Sequence, residues 1–151
     1  MVHSPKRKVF LDLVLSLFRL NGLLIAEGDN MTRNLDLTSA RWRVLGAVAL
    51  SSSGLTVPGI ARVLGQSRQA VQRITDVMAS DGLVEYSPNI KHKKSVLVNL
   101  TEEGKSAYIL LREVQDPWVL ATTDDISQED LETSLLVIRR LIQKFDKKQN
   151  K

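Results

Sequence analysis

The sequence predicts a mainly α-helical fold with one small β-hairpin, an α+β class. Apolar residues recur at three- and four-residue spacing through most of the 151 residues, which is the period of an α-helix. Two short segments, residues 83–86 and 95–100, have a β-like composition instead, and Pro88-Asn89 between them favours a turn. A tight turn at residues 65–67 separates the two helices that precede this hairpin. We therefore expect one domain that contains a helix-turn-helix followed directly by the hairpin.

The domain divides into three regions that differ in charge. Residues 1–37 hold an N-terminal helix and linker, residues 38–101 the helix-turn-helix and hairpin, and residues 102–151 the C-terminal helices. The middle region carries eight Lys and Arg against three Asp and Glu, whereas the first carries five against four and the last eight against ten. A localised basic excess indicates a polyanionic partner better than a high pI does. The alternative interpretation is a merely solvated basic face.

Composition excludes several classes of function. The absence of cysteine excludes disulfides, thiol redox sensing and cysteine-based metal sites, and it is compatible with a reducing cytosol, so we expect a cytoplasmic protein. The two histidines, His3 and His92, lie far apart in sequence, which argues against a metal site. The sequence has no Ser-His-Asp or Cys-His set and no phosphate-binding glycine loop. We therefore expect neither an enzyme nor a cofactor.

The N-terminal helix is predicted over residues 4–27, with Gly28-Asp29-Asn30 as its end. Asp12 and Arg19 interrupt its apolar run, so we expect neither a signal peptide nor a membrane span. A helix that is apolar over most of its circumference must be covered from more than one side. We expect its own domain to cover one side and a second subunit the other. The apolar residues are Phe10, Leu11, Leu13, Val14, Leu15, Leu17, Phe18, Leu20 and Leu24.

Start and stop signals place the remaining helices. Gly82 is expected to stop the fourth helix near Ser80, and Asp116-Pro117 to kink or end the fifth. The predicted N-terminal caps are Thr38 or Ser39, Thr56, Ser67, Thr101 and Ser127.

The third and fourth helices satisfy the packing needs of a helix-turn-helix. Ala61 is small where the second helix of the motif crosses the first, and Gly65 can adopt the positive φ of the turn. Val71 and Ile74 can fill the angle between the helices. Gln66 departs from the pattern, because an apolar residue commonly follows that glycine.

The fourth helix has two faces. Val71, Ile74 and Met78 define a buried face by their spacing. The opposite face carries side chains that suit adenine and guanine edges, because Gln and Arg each can make two parallel hydrogen bonds to a base. We interpret Asp76, farther along this face, as structural or as an arginine partner. The residues predicted to bind DNA here are Ser67, Arg68, Gln69, Gln72 and Arg73.

The tip of the hairpin is basic. Lys91, His92, Lys93 and Lys94 fit contact with phosphates or insertion into the minor groove of a duplex. A helix sized for the major groove beside a cationic loop predicts a protein that binds double-stranded DNA. The alternative is a winged helix that mediates protein–protein interaction without binding DNA.

These residues resemble the MarR family of bacterial winged-helix regulators over nearly the whole chain. The family's wing usually carries an Asp-x-Arg pattern, and the matching positions here are His92 and Lys94, which keep positive charge but lose the guanidinium fork. The segments that carry the resemblance are residues 55–57, 60–61, 64–65, 67–68, 71–73 and 82–84 and, most specific of all, the run L-T-E-E-G at residues 100–104.

The resemblance implies a homodimer held by its N- and C-terminal helices, which represses transcription from a pseudo-palindromic operator. It also implies a small-molecule effector that binds between the dimer helices and the DNA-binding unit. Phe18, Trp42, Arg43 and Trp118 are the candidate contacts, with plain core packing as the alternative for each apolar one. The missing cysteines argue against the thiol-oxidation branch of the family.

Overall fold

The computed structural model describes residues 4–149, and its secondary structure confirms the mainly α-helical fold with a small hairpin. Within these residues the structure has six α-helices, one 3-10 turn (Arg33–Leu35) and two strands. The helices are α1 (Pro5–Thr32), α2 (Ser39–Ala49), α3 (Val57–Leu64), α4 (Arg68–Ser80), α5 (Glu102–Thr123) and α6 (Gln128–Gln149), and the strands are β1 (Val84–Pro88) and β2 (Val96–Leu100).

The predicted helix starts are confirmed by capping hydrogen bonds. In each case a hydroxyl oxygen accepts from the backbone N–H three residues later, which satisfies one of the unpaired donors of the first turn. The five pairs are Thr38 with Arg41 at 3.3 Å, Thr56 with Gly59 at 3.1 Å, Ser67 with Ala70 at 3.1 Å, Thr101 with Gly104 at 3.0 Å, and Ser127 with Asp130 at 3.1 Å.

The predicted end of the first helix at Gly28 is wrong. The helix continues to Thr32, and the left-handed residue that ends this segment is Asp36, with φ of 51°. Gly28 serves a different purpose, because it is buried against α2 and a Cβ there would lie 2.5 Å from Nε1 of Trp42. The absence of a side chain therefore allows α1 and α2 to approach each other.

Two proline positions refine the predictions. Of the two alternatives for Asp116-Pro117, a kink or an end of α5, the end is excluded, because α5 runs on to Thr123 with the proline inside it. Pro88 lies in β1 rather than in the turn, opposite Val96, where its missing N–H is tolerated because this is the end of the ladder.

The chain divides into two compact units, one ending at Val114 and one beginning at Gln115. In the first unit, α2, α3, α4 and the antiparallel hairpin enclose a single hydrophobic core, and Leu55 adds a bridge to Val98. The predicted inner face of α4 is confirmed at Val71 and Met78, whereas Ile74 is half-buried and Thr75 is buried in its place. The fully buried apolar residues of this core include Val44, Leu45, Ile60, Val71, Met78 and Val98.

The outer surface of α1 exposes more large apolar side chains than an isolated soluble domain usually does. Phe18 is 73% exposed, and Val9 and Leu15 are each 67% exposed. By length and composition alone, the helix spanning Pro5–Leu35 could also cross a membrane, a test that core helices and signal sequences pass as well. The second unit, taken by itself, likewise exposes apolar side chains along α6, among them Leu136, Ile142 and Phe145.

Candidate nucleic-acid interface

The outward face of α4 carries the polar and basic residues that sequence reasoning assigned to it. Ser67, Arg68, Gln69, Gln72 and Arg73 are all exposed, while Val71, Thr75 and Met78 on the opposite face are fully buried. Gly65 adopts φ of 63°, as expected for the turn, and so sets the direction in which α4 leaves α3. The packing of α4 therefore leaves one continuous face free to contact a partner.

The hairpin tip is a braced loop that presents four exposed side chains. Asn89 donates from Nδ2 to Oγ of Ser95 at 2.9 Å, and its Oδ1 accepts from the N–H of Lys91 at 3.1 Å. The N–H of Ser95 donates to the carbonyl of His92 at 2.9 Å. These bonds close residues 89–95 on themselves and leave Lys91, His92, Lys93 and Lys94 exposed.

The structure brings the hairpin and α4 to the sides of one groove. Gln72 of α4, Tyr86 of β1 and Lys94 of the hairpin tip line a cavity of about 520 Å³, together with the start of α3 at Thr56 and Pro58. A second, smaller concave site of about 260 Å³ borders Arg73 and includes Arg41. The guanidinium of Arg41 forms an ion pair of 2.8 Å with Asp81 at the end of α4. Of the predicted DNA-binding residues, the first cavity therefore brings Gln72 and Lys94 together, while Arg73 borders the second site.

A hydrogen-bonded cluster that the sequence did not predict lies in this groove. Nε2 of Gln72 lies 2.7 Å from Oδ1 of Asp76 and 3.1 Å from the hydroxyl of Tyr86. That hydroxyl lies 2.7 Å from Oδ1 of Asp76 and 2.9 Å from Oγ1 of Thr75. Asp76 is therefore structural rather than an arginine partner, since its partners are a glutamine and a tyrosine.

The cluster alters two acid–base equilibria. Hydrogen bonds from Tyr86 first and Gln72 second lower the pKa of Asp76 from its ordinary value, whereas burial raises the pKa of Tyr86. Because the folded pKa of Asp76 is depressed, its stabilising contribution is present above the unfolded value of about 3.9 and is lost as the pH falls through the folded one. Asp76 is therefore ionised near neutral pH and can only accept hydrogen bonds.

The departure at Gln66 has a structural explanation. With its amide oxygen turned towards α2, Gln66 accepts from both terminal nitrogens of Arg43, at 3.1 and 3.3 Å. Nε of the same arginine donates to the carbonyl of Ser39 at 3.1 Å. A polar residue in the turn is tolerated because Arg43 ties it to α2.

The four residues predicted to bind an effector have different environments. Phe18 is exposed, Trp42 and Trp118 are half-buried, and Arg43 is engaged by Gln66 and Ser39. Nε1 of Trp42 is buried and has no acceptor within the residues that the structure describes. A separate cavity of about 560 Å³ has other lining residues, among them Ser51, Glu85, Asn99, Lys105 and Tyr108. Between residues 4 and 149, no group of three or more His, Cys, Asp or Glu side chains could hold a metal ion.

The first unit has two helices joined by a tight turn, a hairpin beside the second helix and an outward polar face on that helix. These features define the class: this is a winged helix-turn-helix protein. Residues 35–95 match the model of the MarR family. This segment, which contains the helix-turn-helix and the hairpin as far as its tip, therefore matches the family that the sequence resembles.

Two relatives extend the comparison in sequence. An uncharacterised protein of Mycobacterium tuberculosis is 42% identical over 93 residues, which cover 62% of this chain and 64% of the relative. The transcriptional activatory protein BadR of Rhodopseudomonas palustris is 30% identical over 97 residues, covering 63% of this chain and 55% of BadR. The chain therefore spans less than two thirds of the length of either relative.

Solved structures share the fold at low sequence identity. A MarR/EmrR family regulator from Acinetobacter superimposes with a TM-score of 0.80 at 17% identity, covering 92% of this chain and 98% of that one. CouR from Rhodococcus jostii, bound to p-coumaroyl-CoA, has a TM-score of 0.78 at 17% identity. The match covers 87% of this chain and 92% of CouR. A mutant of MarR from E. coli complexed with operator DNA has a TM-score of 0.65 at 24% identity. The match covers 86% of this chain and 96% of that one.

Proposed function

We propose that this protein is a homodimeric transcriptional regulator that binds double-stranded DNA in a sequence-specific way and acts as a repressor. The observation that carries the proposal is the exposed face of α4, with Arg68, Gln69, Gln72 and Arg73 beside a basic hairpin tip. The family match and the fold shared with the DNA complex of MarR support it. In a bacterial cell such a regulator would act in the cytoplasm, where the chromosome lies.

In this proposal α4 enters the major groove, whose width of about 12 Å admits one helix. Arg68 and Arg73 then meet guanine edges or nearby phosphates, and Gln69 and Gln72 meet other bases. The hairpin tip reaches the adjacent backbone or the minor groove, where Lys91, Lys93 and Lys94 neutralise phosphates. Phosphate contacts set affinity and register, and base contacts set the sequence preference.

Selection of bound sequences from random duplex DNA tests this function directly. Arg73→Ala is expected to reduce binding to the selected sequence by roughly 1–3 kcal/mol and to relax the preference at one position, because a bidentate base contact is lost. Arg140→Ala, an exposed arginine of α6, serves as the matched control and should leave the selected sequence unchanged. Failure of the wild-type protein to enrich any sequence, even at low salt, would favour the alternative of a winged helix that binds only other proteins.

Dimerisation is proposed because α1 leaves large apolar side chains uncovered. Asp12 and Arg19 within that helix favour a protein partner over hydrocarbon, and a second copy offers a self-complementary apolar surface. A two-fold dimer would place its two α4 helices at half-sites about 34 Å apart on a pseudo-palindromic operator.

Light scattering in detergent-free buffer is expected to give twice the mass of the 16.9 kDa chain. Phe18→Ser should shift the mass towards the monomer, because Phe18 is 73% exposed in the single chain. Leu50→Ser is the matched control, since Leu50 lies at the end of α2 and is also exposed. A monodisperse wild-type monomer at micromolar concentration would contradict the dimer.

A small-molecule effector belongs to the same proposal. Phe18, Trp42, Arg43 and Trp118 are its candidate contacts, and CouR, which shares the fold, binds p-coumaroyl-CoA.

A further inference from the structure

The side chain of Gln72 differs from its neighbours on the α4 face in having its amide already engaged. Its nitrogen lies 2.7 Å from Oδ1 of Asp76 and 3.1 Å from the hydroxyl of Tyr86. Within residues 4–149 no hydrogen bond to its Oε1 is formed. A glutamine amide can normally rotate by half a turn and so offer either its donor or its acceptor to a base.

A carboxylate removes that freedom, because it accepts hydrogen bonds and cannot donate them. If the amide of Gln72 turned over, its oxygen would face Oδ1 of Asp76 and two acceptors would repel each other. Tyr86 strengthens the constraint, since its hydroxyl lies 2.7 Å from the same Oδ1 and donates to the carboxylate, its strongest acceptor. The lowered pKa of Asp76 keeps this group ionised at neutral pH.

Tyr86 is itself held from two sides. Its ring belongs to β1, which is paired with β2, and its hydroxyl lies 2.9 Å from Oγ1 of the buried Thr75. The same Oγ1 lies 3.1 Å and 3.0 Å from the carbonyl oxygens of Val71 and Gln72 in its own helix, and its single proton goes to one of these three oxygens. The position of the tyrosine oxygen is therefore set by the hairpin and by α4 together.

We infer that Asp76 and Tyr86 are positioning residues that fix the amide of Gln72 with its oxygen as the free acceptor, so that Gln72 selects a base with an exocyclic amino group. In the major groove those groups are N6 of adenine and N4 of cytosine, whereas thymine and guanine offer only acceptors at the corresponding edge. This inference rests on the proposed function, because it assigns a base class to one position of the operator.

Sequence selection with four proteins tests the inference. The position at which Gln72→Ala loses its preference identifies the base that Gln72 contacts. At that position the wild type is expected to prefer adenine or cytosine by about fivefold, the range of one net hydrogen bond. Asp76→Asn keeps the shape of the side chain but can accept or donate, so the preference should fall to about twofold or less. Tyr86→Phe should also lower this base preference, but by a smaller factor.

Glu85→Gln is the matched control. It removes the same charge from an exposed residue next to Tyr86 but leaves the amide of Gln72 untouched. Glu85→Gln and Asp76→Asn should both raise the overall affinity for duplex, whereas only Asp76→Asn should change the base preference. Because overall affinity and preference at one position are separate readouts, a general electrostatic effect cannot imitate the expected result.

A modified duplex gives an independent measurement. Removing only the amino group from the selected base should weaken wild-type binding by about fivefold and binding of Asp76→Asn by less. A wild-type preference for thymine or guanine, an unchanged preference in Asp76→Asn, or no position affected by Gln72→Ala would each overturn the inference while leaving DNA binding intact. Enrichment of no sequence by the wild type would instead overturn the proposed function.

Discussion

Replacing Lys91, Lys93 and Lys94 together with glutamine is expected to lower affinity for all duplex sequences, by about 100-fold at 0.15 M salt. Each lost phosphate contact removes about 0.9 from the slope of log affinity against log salt concentration, so three contacts remove up to about 2.7. The selected sequence should not change, since phosphate contacts carry no base information. Binding measured between about 50 and 300 mM salt gives both the slope and the affinity.

A charge-matched variant separates this local effect from a general one. Lys8, Lys144 and Lys147 are also exposed but lie on α1 and α6. Replacing these three with glutamine makes the same change in net charge, and the salt slope should fall by less than about one. Equal losses in the two variants would mean that the hairpin tip does not touch DNA and that only the net charge of the protein matters.

The interactions that sequence reasoning predicted best are local. A capping hydroxyl bonds to an N–H three residues away, so Thr56 and Ser67 could be identified from the residues that follow them. The positive φ of Gly65 and Gly82 was likewise predictable, because a helix that stops there needs a left-handed residue. The outward face of α4 followed from helical spacing alone.

The interactions that sequence reasoning missed are not local. Tyr86 and Gln72 are fourteen residues apart on a strand and a helix, and only the packing of the hairpin on α4 brings them together. Gln66 looked anomalous because its partner, Arg43, lies two helices earlier. Gly28 was misassigned because glycine serves equally to end a helix and to admit a neighbouring side chain, and the sequence alone does not tell which. The base-class assignment for Gln72 could come only from the structure.

Gly104→Ala is expected to destabilise the first unit strongly, because the added methyl group has no room. A Cβ at residue 104 would overlap the backbone carbonyl oxygen of Leu83 and lie 3.0 Å from its carbonyl carbon. That carbonyl cannot withdraw easily, because it accepts from the N–H of Thr101 at 3.2 Å. Thr101 in turn donates from Oγ1 to the carbonyl of Gly82 and accepts from the N–H of Gly104.

The expected loss is about 3 kcal/mol, at the upper end of the range for overpacking against a rigid neighbour. Thermal unfolding at fixed protein concentration should show a fall of roughly 10 °C for a chain of this length. Gly46→Ala is the matched control, because Gly46 lies inside α2 and nothing approaches its ideal Cβ within 4 Å. There the same methyl group should stabilise the helix by about 0.5–1 kcal/mol.

A loss of stability in Gly104→Ala and a gain in Gly46→Ala would explain why the run L-T-E-E-G ends in glycine. The threonine caps α5 and ties it to the residues before β1, the two glutamates favour the positive end of the helix dipole, and the glycine lets α5 begin against the backbone of Leu83. Because β2 leads directly into α5, displacement of this junction would also move the hairpin tip relative to α4. Gly104→Ala should therefore weaken DNA binding as well as stability, and an unchanged unfolding temperature would show that the junction yields without cost.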